Sequence, residues 1–256
     1  MIHIDPISAF SDNYIWCLHN EAGEAVVVDP GDAAPVTTFL RERSLSLVGV
    51  LITHHHFDHV GGLDGLLQGR DIPVFGPEGS TPHINRVLVD GDRCDILGCQ
   101  FEVLAVPGHT LDHIAYFADS ESPPLLFCGD TLFAGGCGRL FEGTPEQMHQ
   151  SLSRLKALPA DTEVYCAHEY TLANLRFAQA VEPTSAALAA RIEADSAKRQ
   201  DDTPTVPSTI AIERETNPFL RSHIHEVRDT AGEYASMQLI DDVSTFAAVR
   251  RWKDNF

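Results

Sequence analysis

The stretch that decides the fold is Leu47–His59, which reads LVGVLITHHHFDH. Its first six residues are mostly valine, leucine and isoleucine, so they predict a buried β-strand that ends in a group of metal-binding side chains. Alternate residues of an extended chain point the same way, so His54 and His56 can approach one cation. After a turn, Asp58 and His59 would face a second cation. One short loop could therefore begin a two-metal site.

Three further candidate ligands also stand where apolar runs end. They are His109 after Phe101–Val106, Asp130 after Leu125–Cys128, and His168 after Val164–Cys166. In layered α/β proteins, the loops that leave the carboxyl ends of strands gather at one edge of the sheet. We therefore expect the four ligand-bearing segments to converge. The alternative is a solvated, histidine-rich surface loop, and the fourfold recurrence of the pattern argues against it.

Length and composition predict a globular protein. The chain has 256 residues, of which 43% are hydrophobic, and this is enough for a large core. No apolar run approaches the ~20 residues that span a bilayer, and Met1–Phe10 lacks the basic region and apolar core of a secretion signal. We therefore expect a cytoplasmic protein without a membrane partner. The six cysteines form no Cys-x-x-Cys pair, so we predict reduced thiols rather than a zinc finger or redox pair.

The formal net charge of −19 argues against a nucleic-acid partner, because phosphates require a basic surface. Residues 1–170 contain 8 Lys+Arg and 24 Asp+Glu, hence 8 − 24 = −16, and the remainder contains 10 and 13, hence −3. The candidate ligands thus lie in the more acidic part. This charge either attracts cations or forms an ordinary solvated surface.

The pattern of the sequence changes near residue 170, from one dominated by short strands to one that predicts only helices. Before it, short strand-like runs occur at Ile2–Ile4, Tyr14–Leu18, Ala25–Val28, Leu47–Ile52, Pro73–Phe75, Phe101–Val106, Ile114–Phe117, Leu125–Cys128 and Val164–Cys166. Helices are expected at Pro35–Arg43, Val60–Leu67, Pro145–Ala157, Thr171–Val181, Thr184–Gln200 and Ser244–Trp252. The sequence thus predicts an α/β (α+β) metal-binding domain over residues 1–170 and a helical second unit over residues 171–256.

The candidate ligands suit a binuclear catalytic site. One metal would be held by His54, His56 and His109, the other by Asp58, His59 and His168, with Asp130 bridging them. Imidazole and carboxylate suit two divalent ions, zinc first, with iron or manganese as alternatives. Two metals ~3.5–4 Å apart can share a water, lower its pKa and polarise an electrophilic oxygen, which predicts hydrolysis. We assign catalytic roles to Asp58 and Asp130. A structural zinc site normally needs only four ligands, often cysteines.

Three polar residues near the candidate ligands are not counted among them. Asp29, in Val-Asp-Pro-Gly, either orients an imidazole from behind or merely forms a turn. His55 and His113 are expected to be structural or solvated histidines.

The pattern His-x-His-x-Asp-His, matched by His54, His56, Asp58 and His59, resembles that of the metallo-β-lactamase superfamily. This resemblance implies a four-layer αβ/βα sandwich, and His109, Asp130 and His168 fit the downstream ligands. Within the superfamily the chain resembles the hydroxyacylglutathione hydrolase (glyoxalase II) family over essentially its whole length. The segments that carry this narrower resemblance are Ala134–Thr144, Ala167–Tyr170, Asn217–Phe219 and Arg250–Lys253.

The narrower resemblance implies a substrate and its contacts. The implied glutathione-binding residues are Arg139, Phe141, Tyr170, Arg250 and Lys253. Arg139 and Phe141 depart from the lysine and tyrosine of some members. Arg250 and Lys253 are three residues apart on one helix face and could hold the carboxylates of glutathione. The alternative is a solvated helix end whose cations complement the helix dipole.

The implied reaction is hydrolysis of S-(2-hydroxyacyl)glutathione thioesters, chiefly S-D-lactoylglutathione to D-lactate and glutathione, by a hydroxide that bridges two metals. The enzyme would be a monomer acting in methylglyoxal detoxification, downstream of a lactoylglutathione lyase. A thiol pKa of ~8.5 lets the thiolate leave without a strong general acid.

Three rival functions remain. An iron-dependent persulfide dioxygenase would consume oxygen. Other superfamily hydrolases act on lactams, lactones or phosphodiesters, but the net charge argues against a nuclease and the helical extension against a lactamase. A non-catalytic metal- or glutathione-binding module is disfavoured by the presence of all seven candidate ligands.

Overall fold

A computed structural model describes residues 2–256 of the chain, which fall into two compact units. The first unit comprises the residues up to Ala105 together with Asp112–Gly129. The second comprises Val106–Leu111 and Asp130–Phe256. Among residues 2–256, no helix is both long enough and apolar enough to cross a membrane.

The first unit contains most of the strands. Its strands are β1 (Ile2–Ala9), β2 (Asn13–Asn20), β3 (Glu24–Val28), β4 (Ser46–Leu51), β5 (Val74–Gly76), β6 (Arg86–Val87), β7 (Arg93–Ile96), β8 (Cys99–Ala105), β9 (Ile114–Ala118) and β10 (Leu125–Gly129). Its helices are α1 (Ala33–Arg43), α2 (Phe57–Val60) and α3 (Leu63–Leu67). A six-stranded sheet has the order β1-β2-β3-β4-β5-β6, with β3 to β6 parallel. Strands β10, β9, β8 and β7 pair antiparallel in that order.

The parallel strands form because their residues are apolar and β-branched, which suits strands covered on both faces. Val27 of β3 and Val50 of β4 are fully buried and share a core cluster with Val36 of α1 and Leu63 of α3. Each such side chain contributes about 1.5–3 kcal/mol when buried. Helix α1 begins at the N-cap Asp32, whose carboxylate accepts a hydrogen bond from the Ala34 N–H (2.9 Å). The core thus fixes the carboxyl ends of β3 and β4 side by side.

Two sequence expectations differ from the structure. The first strand extends beyond Ile4 to Ala9 and includes Pro6, which an edge strand tolerates because one side of its backbone has no ladder partner. The expected helix Val60–Leu67 is instead divided into α2 and α3. A Cβ at Gly62 would collide with the carbonyl of Pro30. This close approach brings α2 against the loop that follows β3.

The second unit is mainly helical. Its elements are β11 (Leu132–Phe133), β12 (Gly136–Cys137), α4 (Pro145–Lys156), β13 (Glu163–Cys166), α5 (Thr171–Val181), α6 (Ala186–Gln200), β14 (Ser208–Thr209), α7 (Ile210–Thr216), a 3₁₀ helix (Pro218–Leu220), α8 (His225–Ala235) and α9 (Asp242–Asp254). Helix α4 has a capping box between Thr144 and Gln147, with proline in the first turn, as its sequence predicts. Helix α8 was not expected, because it buries only Val227 and Ala231. Strands β11 and β12 form a short antiparallel hairpin.

All six cysteines are buried, and none of them is joined in a disulfide. Burial is the main reason that the pKa values of Cys17, Cys94 and Cys166 rise to about 12, and those of Cys99 and Cys137 to about 11. A thiol with so high a pKa has almost no reactive thiolate at neutral pH.

We therefore predict that the native protein resists labelling by a thiol-specific disulfide reagent at pH 8, because burial raises the pKa values of five thiols to about 11 or 12 and all six cysteines are buried. Labelling before and after denaturation would measure this. All six thiols should react once the protein is unfolded. Rapid labelling of two or more thiols in the native protein would contradict the buried, high-pKa assignment.

Candidate metal centre

Asp29 lies directly after β3 and organises the start of the histidine-rich loop. It is buried, with 4% exposure, and its backbone has a positive φ of 52°. Its Oδ1 accepts a hydrogen bond from the Thr53 N–H (2.8 Å), and its Oδ2 accepts one from the Thr53 hydroxyl (2.7 Å). A non-glycine residue in this conformation costs about 1 kcal/mol or more, and the two hydrogen bonds offset that cost. Asp29 therefore orients the ligand loop and does more than form a turn.

The contacts of Thr53 define the protonation of His54. The Thr53 hydroxyl donates its single hydrogen to Asp29, so towards His54 Nδ1, 3.0 Å away, it can only accept. Nδ1 of His54 therefore carries the proton, and Nε2 presents a lone pair. That Nε2 lies 3.1 Å from Nδ1 of His56. His54 is fully buried and His56 half-buried. Two ring nitrogens thus lie at the spacing expected of neighbouring ligands of one cation.

His59 follows the same logic on the other side of Asp29. Its Nδ1 lies 3.1 Å from Asp29 Oδ2, and its Nε2 lies 3.5 Å from Asp58 Oδ2. The carboxylate of Asp29 favours a proton on Nδ1, which leaves Nε2 as the lone-pair nitrogen beside Asp58. Asp58 Oδ2 also accepts a hydrogen bond from the Asn13 side-chain amide (2.9 Å).

Asn13 is a residue that the sequence alone did not indicate. It stands at the start of β2, 45 positions before Asp58, and no local motif links the two.

His113, which we expected to be structural, is buried with its ring stacked on that of His54 (centroids 4.5 Å apart, 15° between planes). His55 lies 3.0 Å from Asp112 Oδ1 through its Nδ1. His113 therefore packs behind a predicted ligand, whereas His55 points to a carboxylate outside the predicted ligand set.

In the second unit, Asp130 lies between two histidines. His109 Nδ1 donates to the carbonyl of Arg139 (2.8 Å), so its Nε2 carries the lone pair, 3.4 Å from Asp130 Oδ2. His168 Nε2 lies 3.3 Å from Asp130 Oδ1. All three ligand candidates are buried. Each oxygen of one carboxylate thus lies near a different imidazole, which is compatible with a carboxylate shared by two metal ions.

These distances fit metal ligands better than direct hydrogen bonds. The three imidazole-to-carboxylate separations involving Asp58 and Asp130 are 3.3–3.5 Å, longer than the usual N–H···O distance of about 2.9 Å. Two ligands bound at about 2.0–2.1 Å to a tetrahedral metal lie roughly 3.3 Å apart. The donor set contains nitrogen and oxygen only, which suits zinc, iron or manganese.

Two aromatic side chains of the second unit lie against the imidazole rings of His109 and His168. The Phe141 ring contacts the His109 ring edge-on, with centroids 5.2 Å apart, and is 63% exposed. Tyr170 stacks on His168, with centroids 4.7 Å apart and planes within 5°, and is 36% exposed. Both residues belong to the expected substrate-binding set. They present apolar surface to solvent directly beside the predicted ligands.

The second unit also contains a cluster of positively charged side chains, although the protein as a whole is very acidic. Burial lowers the pKa of Lys253, and Arg250, Arg176 and Arg139 lower it further by charge repulsion. Arg139 is exposed and Lys253 half-buried. Arg250 is only 5% exposed, and its guanidinium donates to the carbonyl of Cys137 (2.9 Å). Arg176, on α5, is a member of the cluster that the sequence did not indicate.

We predict that Asp29→Ala weakens metal binding about 10- to 100-fold, because His54 and His59 lose the groups that fix their protonation and orientation. Metal affinity would be measured by competition with a chromogenic chelator. Asp32→Ala is the matched control, since it removes a carboxylate from the same loop and costs about 1 kcal/mol of helix capping. Equal metal affinity in the two variants would contradict the role of Asp29.

The sequence matches two family profiles in succession. Residues 12–168 match the profile of the metallo-beta-lactamase superfamily, and residues 169–256 match the profile of the hydroxyacylglutathione hydrolase C-terminus. The chain is 54% identical over 258 residues to the hydroxyacylglutathione hydrolase of Chromohalobacter salexigens, and the alignment covers all of both chains. The predicted family and its α/β fold class with a helical C-terminal domain are thereby confirmed.

Solved structures agree with the fold. ETHE1 from Myxococcus xanthus is 25% identical and superposes with a TM-score of 0.67, covering 99% of this chain and 98% of its own. The protein TTHA1623, solved in a di-iron-bound form, is also 25% identical, with a TM-score of 0.62, covering 84% of this chain and 100% of its own. In a chain of this fold, the clustered histidine and aspartate side chains indicate a binuclear metal site. The chain belongs to the hydroxyacylglutathione hydrolase family of the metallo-β-lactamase superfamily.

Proposed function

We propose that this protein hydrolyses S-(2-hydroxyacyl)glutathione thioesters, chiefly S-D-lactoylglutathione, to a 2-hydroxy acid and glutathione. The observation that carries the proposal is the combination, within one unit, of a carboxylate between two imidazoles and a cluster of cations around Lys253. The carboxylate suits a catalytic metal, and the cations suit a substrate with two carboxylates such as glutathione. Full-length relatives that carry the hydroxyacylglutathione hydrolase name support this assignment.

The proposed metal ligands are the seven predicted from the sequence. They are His54, His56 and His109 for one ion, Asp58, His59 and His168 for the other, and Asp130 for both. Zinc is our first choice, and iron is the main alternative, supported by the di-iron form of a structural relative. When bound, two divalent ions would lower the pKa of a shared water and polarise the thioester carbonyl.

The protein's own residues prepare the site for these ions. Nδ1 of His54, His59 and His109 each lies 2.8–3.1 Å from an oxygen of the protein, which would leave the Nε2 atoms to hold the ions. The Asn13 amide holds Asp58 Oδ2 in place. The departing thiolate has an ordinary pKa of ~8.5, so the reaction needs no strong acid from the protein.

The proposed substrate contacts divide by exposure. Arg139 and Lys253 reach solvent and would pair with the carboxylates of glutathione, whereas the buried Arg250 would add positive charge and support from beneath. Phe141 and Tyr170 would pack on the bound thioester beside His109 and His168.

The remaining expectations form part of the same proposal. Residues 1–170 would be the catalytic domain and residues 171–256 the substrate-binding domain, and the family profiles, which meet at residues 168 and 169, support this division. The enzyme would be a cytoplasmic monomer that acts on the thioester product of a lactoylglutathione lyase.

The direct test is to follow thioester loss from S-D-lactoylglutathione with and without a metal chelator. We expect turnover that the chelator abolishes. Metal binding without turnover would contradict the proposal. In that case, oxygen uptake with glutathione persulfide would test the dioxygenase alternative.

We predict that Asp130→Ala reduces the rate of hydrolysis more than 100-fold. Loss of a residue that only hydrogen-bonds to a metal ligand lowers metal affinity or activity roughly 10- to 100-fold, and loss of a ligand itself should have a larger effect. Metal content and kcat/KM would both be measured. The control is Asp161→Ala, which removes an exposed carboxylate of the same unit. Retention of the metals and of turnover in Asp130→Ala would refute the bridging role.

For Lys253→Ala we expect about a 10-fold increase in KM for glutathione thioesters, equivalent to about 1.4 kcal/mol, with kcat nearly unchanged, because ground-state binding is lost. Arg251→Ala removes an equal charge from the exposed face of the same helix and should leave KM unchanged. The pKa of Lys253 is lower than that of an ordinary lysine, so its side chain loses the positive charge at a lower pH. We therefore expect the KM of the wild-type protein to start rising at a pH below the range in which lysine usually titrates. An unchanged KM in Lys253→Ala would place the glutathione site elsewhere.

A further inference from the structure

The segment 133–137, which we call the strap, is held by buried side chains of the helical part of the second unit in addition to its own short hairpin ladder. It contains most of the β11–β12 hairpin. The Asn217 amide donates to the carbonyls of residues 133 and 136 (3.2 and 2.9 Å), and the Asn174 amide donates to that of residue 134 (3.1 Å). The carboxylate of Glu213 accepts from the N–H of residue 135 (2.8 Å), and Arg250 donates to the carbonyl of residue 137 (2.9 Å). Every strap residue thus has one backbone group fixed by a buried side chain.

The two ends of the strap adjoin predicted metal ligands. The strap follows Asp130 closely in sequence, and the N–H of Gly138 donates to the carbonyl of Thr131 (3.2 Å). A Cβ at Gly138 would collide with the Asp130 carbonyl and would lie only 3.0 Å from His109 Nδ1. The next carbonyl, that of Arg139, accepts the hydrogen bond from His109 Nδ1. The path of the strap therefore sets both the backbone of Asp130 and the ring orientation of His109.

The anchor of the strap is a buried charged network. Glu213 is fully buried, and its Oε1 accepts from Arg191 (2.6 Å) and from the hydroxyl of Ser208, while its Oε2 accepts from the Gly135 N–H and from Asn217. Both oxygens act as acceptors in these hydrogen bonds. Arg191 is itself 8% exposed and depends on this partner. Because both oxygens of this buried carboxylate accept hydrogen bonds, its orientation is fixed, and it can hold the Gly135 N–H in one position.

We infer that Asn217 and Glu213 are positioning residues, which hold Asp130 and His109 at ligand geometry through the strap. This inference rests on the proposed metal site. It gives a physical role to the Asn217–Phe219 segment, which lies far from Asp130 in the sequence. A purely structural role would lower the stability of the fold and leave metal retention by the folded protein unchanged.

The test compares metal retention in folded variants. Asn217→Ala removes two strap bonds, and Asn174→Ala removes one and serves as the milder variant if the first is poorly folded. Glu182→Gln is the control, because Glu182 is an equally buried carboxylate of the same unit whose partner is Arg221 rather than the strap. Each variant would be loaded with zinc, checked for folding, and followed during zinc transfer to a chelator, with hydrogen exchange of residues 130–139 measured in parallel.

We expect zinc transfer to be at least 10-fold faster in Asn217→Ala than in wild type, with a smaller change in the same direction in Asn174→Ala. Exchange of residues 130–139 should increase in both variants, and kcat should fall more than KM rises. Glu182→Gln should lose stability without faster zinc transfer. Wild-type zinc retention in both asparagine variants, or equal acceleration in the control, would overturn the inference. A wild-type protein that retains zinc but does not hydrolyse the thioester would refute the proposed function alone.

Discussion

The candidate metal centre depends on one constraint, which is that each ligand imidazole must keep its proton on the nitrogen that faces away from the metal. Thr53 and Asp29 impose this on His54 and His59, and the Arg139 carbonyl imposes it on His109. None of these groups binds the metal in our assignment, yet without them the rings could rotate or change tautomer. The positive φ of Asp29 is the conformational cost of this arrangement.

The fold supplies these outer groups from two kinds of element. In the first unit, parallel β3 and β4 end side by side, so Asp29 meets Thr53 without a long loop. In the second unit the strap has only the short ladder of the β11–β12 hairpin, and buried side chains from α5, α7 and α9 add further hydrogen bonds to its backbone. The helical elements therefore do more than carry the proposed substrate contacts. They also fix the backbone beside Asp130.

The sequence was most informative where chemistry and periodicity coincide. The apolar run before His54 predicted strand β4 and the ligand loop, and α4, α5, α6 and α9 formed where helical spacing and proline positions indicated them. Asn13 and Arg176 could not be predicted, because their partners lie far away in sequence or form only in the folded chain. The α2–α3 break was missed because it depends on the contact between Gly62 and Pro30, which no local pattern reveals.

The central claim is that these histidines and aspartates form one binuclear site of nitrogen and oxygen donors. X-ray absorption spectroscopy of the zinc-loaded protein, together with a count of metals per chain, tests this claim most directly. We predict two zinc ions per chain, a first shell of imidazole nitrogen and oxygen without sulfur, and a metal–metal distance of about 3.5–4 Å. One zinc per chain, or a first shell that contains cysteine sulfur, would contradict the account.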